Sequence, residues 1–122
     1  MAHAKLVTKE KNWFEERFAR GGVGNADIEL VGTEEKLFSA YLDDWIWQGK
    51  SAELLPASLT FSLNSSINVS LSLDALPNYV AHGENGYSQK LANGQQASMY
   101  YSEPFIQISG TLEIPTNDEV EI

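Results

Sequence analysis

The chain has no cysteine, only 2 histidines, and 8 lysines and arginines together in 122 residues; each shortage removes a class of function. Without cysteine there is no disulfide and no thiolate zinc site, and redox chemistry says nothing about compartment. Two histidines leave a first-row metal site dependent on carboxylates whose spacing supports none, so no metal and no cofactor is expected. Aspartate and glutamate number 17, which gives a formal net charge of −9. Such a chain repels phosphates and has no basic run to offset the repulsion, so nucleic acid is excluded as a partner. No apolar run approaches the length of a membrane span. The N-terminus also lacks the charged, apolar, small-residue order of a signal peptide. The chain as written therefore reads as cytoplasmic, and as periplasmic or otherwise exported if a longer precursor exists.

Catalytic signatures are scarce as well. There is no HExxH and no G-x-S-x-G; the GYSQK segment sets Ser88 in a similar bend but has Lys90 where the last glycine belongs. Ser88 and Lys90 share a face of an extended segment without assured hydrogen bonding, and Tyr87 and Lys90 read more simply as residues that pin a loop. Gly21, Gly22 and Gly24 hold a partial G-x-G with no preceding parallel strand and no third glycine, so they mark a turn, not a nucleotide loop.

What is present is alternation. With 43% apolar and 20% charged residues the chain has the composition of a folded protein, and its length fits one domain over residues 1–122. From Phe105 onward Ile106, Ile108, Leu112 and Ile114 lie on one side, with Gln107, Ser109, Thr111 and Glu113 on the other, the period of a half-buried strand. Ala97 to Ser102 is a second strand, and Pro104 separates the two where no backbone donor is needed. Ala57 to Leu63 and Ile67 to Leu73 alternate most cleanly, with Asn64, Ser65 and Ser66 as turn residues, and form a hairpin whose outer face is serine, asparagine and threonine. Ala2 to Thr8 alternates loosely, His3, Lys5 and Val7 opposite Ala4 and Leu6. Asn12 to Arg20 fits a short helix or a strand. Asp27 to Glu35 reads as a loop or an edge hairpin. Lys36 to Gln48, taken as one strand, sets Tyr41, Asp43, Trp45 and Trp47 on one face and Phe38, Leu42, Asp44 and Ile46 on the other. Asp43 and Asp44 then point apart and form no acid and base pair, while an aspartate beside tryptophan would have its pKa raised by desolvation.

Several of these stretches also carry a resemblance. His82, Gly83, Gly86, Tyr87, Ser88 and Lys90, then Ala97, Ser98, Tyr100, Tyr101 and Ser102, then Ser109, Gly110 and Thr111 resemble the central signature of the carotenoid 1,2-hydratase (hydroxyneurosporene synthase) family, an AttH-like, lipocalin-like group. Its pattern is roughly HG..GYS.K....ASYYYS......SGTL. Upstream, Ala2, His3 and Ala4 are similar to the family's "AHA" strand, Glu16 to Gly21 to its "ERFARG" segment, and Asp44 with Trp45 to its "DW" strand. The resemblance favours an extended Asn12 to Arg20. It covers the central part of the family's first domain: the "EWWY" strand before "AHA" has no counterpart, nor do the "G.AW.D.EW" segment and second β domain that follow SGTL. It implies a lipocalin-like antiparallel β fold.

Together these readings predict an all-β antiparallel meander of about seven strands, near the eight of a small up-and-down barrel. It forms a lipocalin-like barrel or half-barrel, completed by a homodimer through open sheet edges if closure fails. Two functions stay open. In one, the interior binds an apolar small molecule, with Trp45, Trp47 and Tyr100 or Tyr101 as walls and His82, Lys90 and Asp44 as polar fixing groups at the mouth; His3 and Tyr87 are further ligand-binding candidates. In the other, which rests on the resemblance, the domain is part of a hydratase or cyclase that adds a proton to a polyene or isoprenoid substrate, with Asp44 and His82 as the candidate acids. A histidine on a strand is more often structural than catalytic, and an aromatic stripe more often core than site, so binding is favoured.

Overall fold

The computed structural model describes residues 1–9, 13–76, 79–114 and 119–121. Every regular element among them is a strand. In chain order these are β1 (Ala2–Thr8), β2 (Trp13–Ala19), β3 (Ala26–Val31), β4 (Leu37–Leu42), β5 (Trp45–Gly49), β6 (Ala57–Asn64) and β7 (Ile67–Ala75). Then come β8 (Val80–Ala81), β9 (Tyr87–Gln89), β10 (Ala97–Met99), β11 (Tyr101–Ser102), β12 (Ile106–Glu113) and β13 (Glu119–Glu121). The chain divides into two compact units, Met1–Asp74 with Ile108–Ile122, and Ala75–Gln107.

The first unit holds a seven-stranded sheet in the order β13-β12-β7-β6-β5-β4-β3, and a separate two-stranded ribbon, β1-β2. The sheet is an open antiparallel meander and does not close into a barrel among the described residues, which agrees with the half-barrel expectation. Alternation decides its two faces. Across β6 and β7, Ala57 faces Leu73, Leu59 faces Leu71 and Phe61 faces Val69, while Ser58 faces Ser72, Thr60 faces Ser70 and Ser62 faces Asn68. One face is therefore apolar and the other hydroxyl-rich.

The β1-β2 ribbon lies over part of the apolar face. Ala2, Ala4 and Leu6 are half-buried and pack with Ala19 against Leu42, Trp45, Phe61, Leu63, Ile67, Val69 and Leu112. The loose alternation of the first strand is thus that of a lid whose inner side is small and apolar. Segment 13–19 is extended, as the resemblance favours, and Asn12 at its head lies outside the described residues.

One expectation is corrected. Lys36 to Gln48 is two strands, because Asp43 and Asp44 form a tight turn that pairs Leu42 with Trp45. Asp43 adopts φ 54°, a left-handed conformation that aspartate tolerates better than most residues. Asn25 anchors it, with the Asn25 amide donating to Asp43 Oδ1 at 3.0 Å and Asp43 N–H donating to Asn25 O at 2.8 Å. The turn resets the phase, so Trp45 and Trp47 share a face with Ala40 and Leu42, opposite Tyr41 and Ile46. A serial reading of alternation misses a two-residue reversal that carries neither glycine nor proline.

The second unit is built of two short ribbons, β9-β10 and β8-β11. Ala97 to Ser102 is interrupted at Tyr100, whose N–H donates to Gly86 O at 2.7 Å and whose carbonyl accepts from His82 N–H at 2.9 Å. Tyr100 thereby stitches both sides of the His82 to Gly86 bend.

Candidate functional site

The ribbon does not cover the whole apolar face. Beyond its edge a groove of about 720 Å³ is floored by Ala26, Ile28, Ala40, Leu42, Trp45, Trp47 and Leu59, with Met1, Ala2 and His3 along its rim; Asp27 and Tyr41 border it, although alternation sets their side chains on the other face. Register explains the floor: Ile28 pairs with Ala40, Ala40 with Trp47 and Trp47 with Leu59, a row crossing four strands on one face. Ala40 in that row and Ala26 in the next make the depression. Trp47 presents its ring while its Nε1–H donates to Leu54 O at 2.8 Å, so its polar edge is satisfied outside the groove. Trp45 is 6% exposed and stacks on Phe61 at 3.9 Å between centroids and 5° between planes. Its Nε1 is buried with no hydrogen-bond partner among the described residues, and packing holds it. A family model described as AttH-like matches residues 1–122.

The chain belongs to the AttH-like family. No curated protein and no solved structure matches it. In this AttH-like domain the structure brings His3, Trp45 and Trp47 to the same groove. His3 stands at the rim, its Nε2 2.6 Å from Glu16 Oε1 and its ring edge-on to Phe18 at 5.8 Å.

Asp44 is not in that groove. It sits at the β4-β5 turn, where Oδ1 accepts from Arg17 Nη2 at 2.5 Å and Oδ2 accepts from the Ser62 N–H at 3.0 Å. The second Arg17 amino group donates to Ser62 O, and the guanidinium lies 5.6 Å from the Trp45 ring. Arg17 of the ribbon thus clamps Asp44 and Ser62 of the sheet. The Arg17 hydrogen bond outweighs desolvation and holds the Asp44 carboxyl well below the usual carboxylate range. That corrects the expected rise: a guanidinium contact beats the neighbouring tryptophan. Arg17 shifts upward for the same reason. Its role was hidden in the sequence, since nothing in the spacing of Arg17 and Asp44 shows that they meet.

The remaining site candidates belong to the second unit. His82 stacks on Tyr100 at 4.3 Å and 22°, Lys90 Nζ lies 6.0 Å from the Tyr100 ring, and His82 Nε2 shares a 2.6 Å hydrogen bond with Ser102 Oγ. Tyr101 meets Tyr79 edge-on at 6.3 Å. Tyr87 is fixed through its backbone, exchanging hydrogen bonds with Glu84. His82, Lys90 and Tyr100 therefore form one local cluster, and Ser102, present in the signature but not among the site candidates, joins it. Among the described residues no group of three or more histidines and acids is placed to hold a metal ion. Nor is any helix long and apolar enough to cross a membrane.

Proposed function

We propose that this AttH-like domain binds an apolar small molecule in the groove over Ala40, Trp47 and Leu59. The supporting observation is an apolar sheet face that the ribbon seals along one part and leaves open along the other, with a volume of about 720 Å³. Small-molecule sites occupy roughly 300–1,000 Å³ and are lined mainly by apolar and aromatic side chains with a few polar groups. Here the polar lining residues, His3 and Asp27, stand at the rim, their side chains on the outward sides of β1 and β3. Each Å² of apolar ligand and floor withdrawn from water contributes about 25 cal/mol.

Kinship to carotenoid 1,2-hydratases would make the ligand a substrate, with acid-assisted addition as the chemistry. Protonating a carbon double bond needs a protonated, shielded acid. Asp44, held ionised by Arg17, does not fit that role, and this favours binding. The reading extends to a partner, because β3 is a solvent-exposed edge strand that a second copy could extend.

Tryptophan fluorescence tests the reading. Retinol or oleate is expected to quench emission saturably, and Ala40→Phe, which fills the floor, to weaken binding at least about tenfold, or 1.4 kcal/mol. Emission unchanged by either ligand would refute the pocket. Light scattering that shows only monomer at high concentration would refute the dimer and leave the pocket standing.

A further inference from the structure

On the opposite face of the same sheet is a second, chemically contrasting groove of about 300 Å³, lined by Asp44, Thr60, Ser62, Asn68, Ser70, Thr111 and Glu113 with the backbone neighbours Phe61 and Val69. Its polar side chains and the Ser62 backbone amide form a relay. Ser62 N–H donates to Asp44 Oδ2 at 3.0 Å, Ser62 Oγ donates to Asn68 Oδ1 at 3.1 Å, and Asn68 Nδ2 donates to Glu113 Oε2 at 3.2 Å. Because a carboxylate only accepts, Glu113 fixes the amide orientation of Asn68. The relay runs from the β4-β5 turn through β6 and β7 to β12, so four segments hold it rigid.

We infer that this hydroxyl-rich face is a binding surface for a neutral polyhydroxylated ligand, an oligosaccharide. Three features of the groove carry the inference. First, the groove has acceptors in excess: each carboxylate oxygen has two lone pairs, and the relay uses one on Glu113 Oε2 and one on each Asp44 oxygen. Sugar hydroxyls are donors that fit those remaining sites, and the hydroxyls of Thr60, Ser70 and Thr111 can donate or accept in return. Second, the charge is wrong for an anion. Arg17, the cation nearest Asp44, is already committed to Asp44 and to the Ser62 carbonyl, which leaves two carboxylates facing the ligand. Third, the same face continues into an apolar platform. Thr60 pairs with Ile46 and Ile46 with Tyr41, and these two side chains are 45% and 38% exposed beside the polar row. Sugar rings present just this division, hydroxyls at the edge and C–H groups on the face, which a tyrosine ring and an aliphatic side chain can cover.

This surface is independent of the apolar groove, since alternation puts the two on opposite sides of β5 and β6. The test is a titration of isotope-labelled full-length protein with cellohexaose, laminarihexaose, maltohexaose and chitohexaose, followed by backbone amide shifts. At least one probe is expected to shift the amides of Thr60, Ser62, Asn68, Ser70 and Thr111 saturably. Ser70→Arg, which blocks the groove on an exposed face, is expected to reduce that affinity at least about tenfold. Asn68→Ala, which removes the middle of the relay with less bulk, is expected to weaken it too. Circular dichroism shows whether each variant is folded. No shift with any of the four probes, shifts confined to other residues, or equal affinity in folded Ser70→Arg would overturn the inference. A protein that occupied this face instead would leave all four probes silent.

Discussion

Gly110 is the position at which the fold makes its narrowest demand. A Cβ built there falls inside van der Waals contact of the Ser70 carbonyl oxygen and 2.9 Å from Leu71 Cα, both backbone atoms of β7. Two effects compete in Gly110→Ala. Removing glycine from the unfolded ensemble and from a strand interior gains about 0.5–1 kcal/mol. Against that, a methyl group pressed on a backbone that cannot rotate away must push β12 from β7, and overpacking of this kind costs about 1–3 kcal/mol. The shift would also loosen Leu112, which is 5% exposed and lies in the core cluster. The balance is a net loss of about 1–2 kcal/mol. Urea unfolding followed by tryptophan fluorescence measures it. Gly22→Ala is the control, because its Cβ meets only Asn25 Oδ1 at 3.7 Å, and no loss is expected there. Gly110→Ala as stable as the parent chain would show that β12 does not approach β7 this closely, and the register argument for the polar groove would fall with it.

Other expectations follow from the same geometry. Asp44→Asn should cost about 1–2 kcal/mol at neutral pH, a figure kept small because the Asp44 side chain is 44% exposed and solvent screens the pair. Since folding depresses the Asp44 pKa, the stability it supplies is complete above its unfolded value near 4 and is lost as pH falls toward the folded one. The gap between parent and Asp44→Asn should therefore narrow below about pH 4, and a gap independent of pH would refute the ion pair. At Asp43, where φ is 54°, Asp43→Gly should be less damaging than Asp43→Ala by about 1 kcal/mol, because both lose the Asn25 contact and only alanine keeps the left-handed strain. Equal losses in thermal melts would argue against the tight turn. In the second unit, His82→Phe keeps a ring to stack on Tyr100 but removes the bond to Ser102, so it should disturb Ser102 amide shifts while leaving those of Tyr100 near their places. The reverse pattern would sink that assignment.

How much of this was legible in the sequence depends on the range of the interaction. Strands whose polar and apolar residues alternate without interruption, such as Ala57 to Leu63 and Ile67 to Leu73, declare both their type and their inner face. Asn64 even declares its turn, because its side chain accepts from the Ser66 N–H at 2.9 Å, a contact two residues long. The β4-β5 reversal was hidden because two aspartates took the place of the usual glycine or asparagine signal, and one unread turn moved both tryptophans to the other phase. The Arg17 clamp was hidden for a different reason: it joins a strand residue to a turn residue 27 positions away, and no local pattern encodes that distance. Trp45 and Trp47 were recognisable as an aromatic stripe, whereas the small residues that hollow the groove beside them, Ala26 and Ala40, carry no signal until the register aligns them.

The two grooves share one cause. A sheet with a period of two must sort its side chains, and here the sorting is nearly complete across β6 and β7: leucine, phenylalanine and valine on one side, serine, threonine and asparagine on the other. The β1-β2 ribbon is too narrow to cover all of the apolar side, so part of that face becomes core and part stays open as a groove. No strand or ribbon is needed on the polar side, since its groups can be solvated or bonded to one another. Arg17 links the two regimes. Its guanidinium passes from the ribbon, beside Trp45 on the apolar face, to Asp44 and the Ser62 backbone at the end of the polar relay. Arg17→Met keeps the aliphatic stem over Trp45 and removes the clamp, so it should preserve the apolar groove while freeing Asp44. The saccharide titration and the retinol titration would then respond differently to one substitution. If both responded alike, the two faces would not be the independent surfaces that alternation makes them.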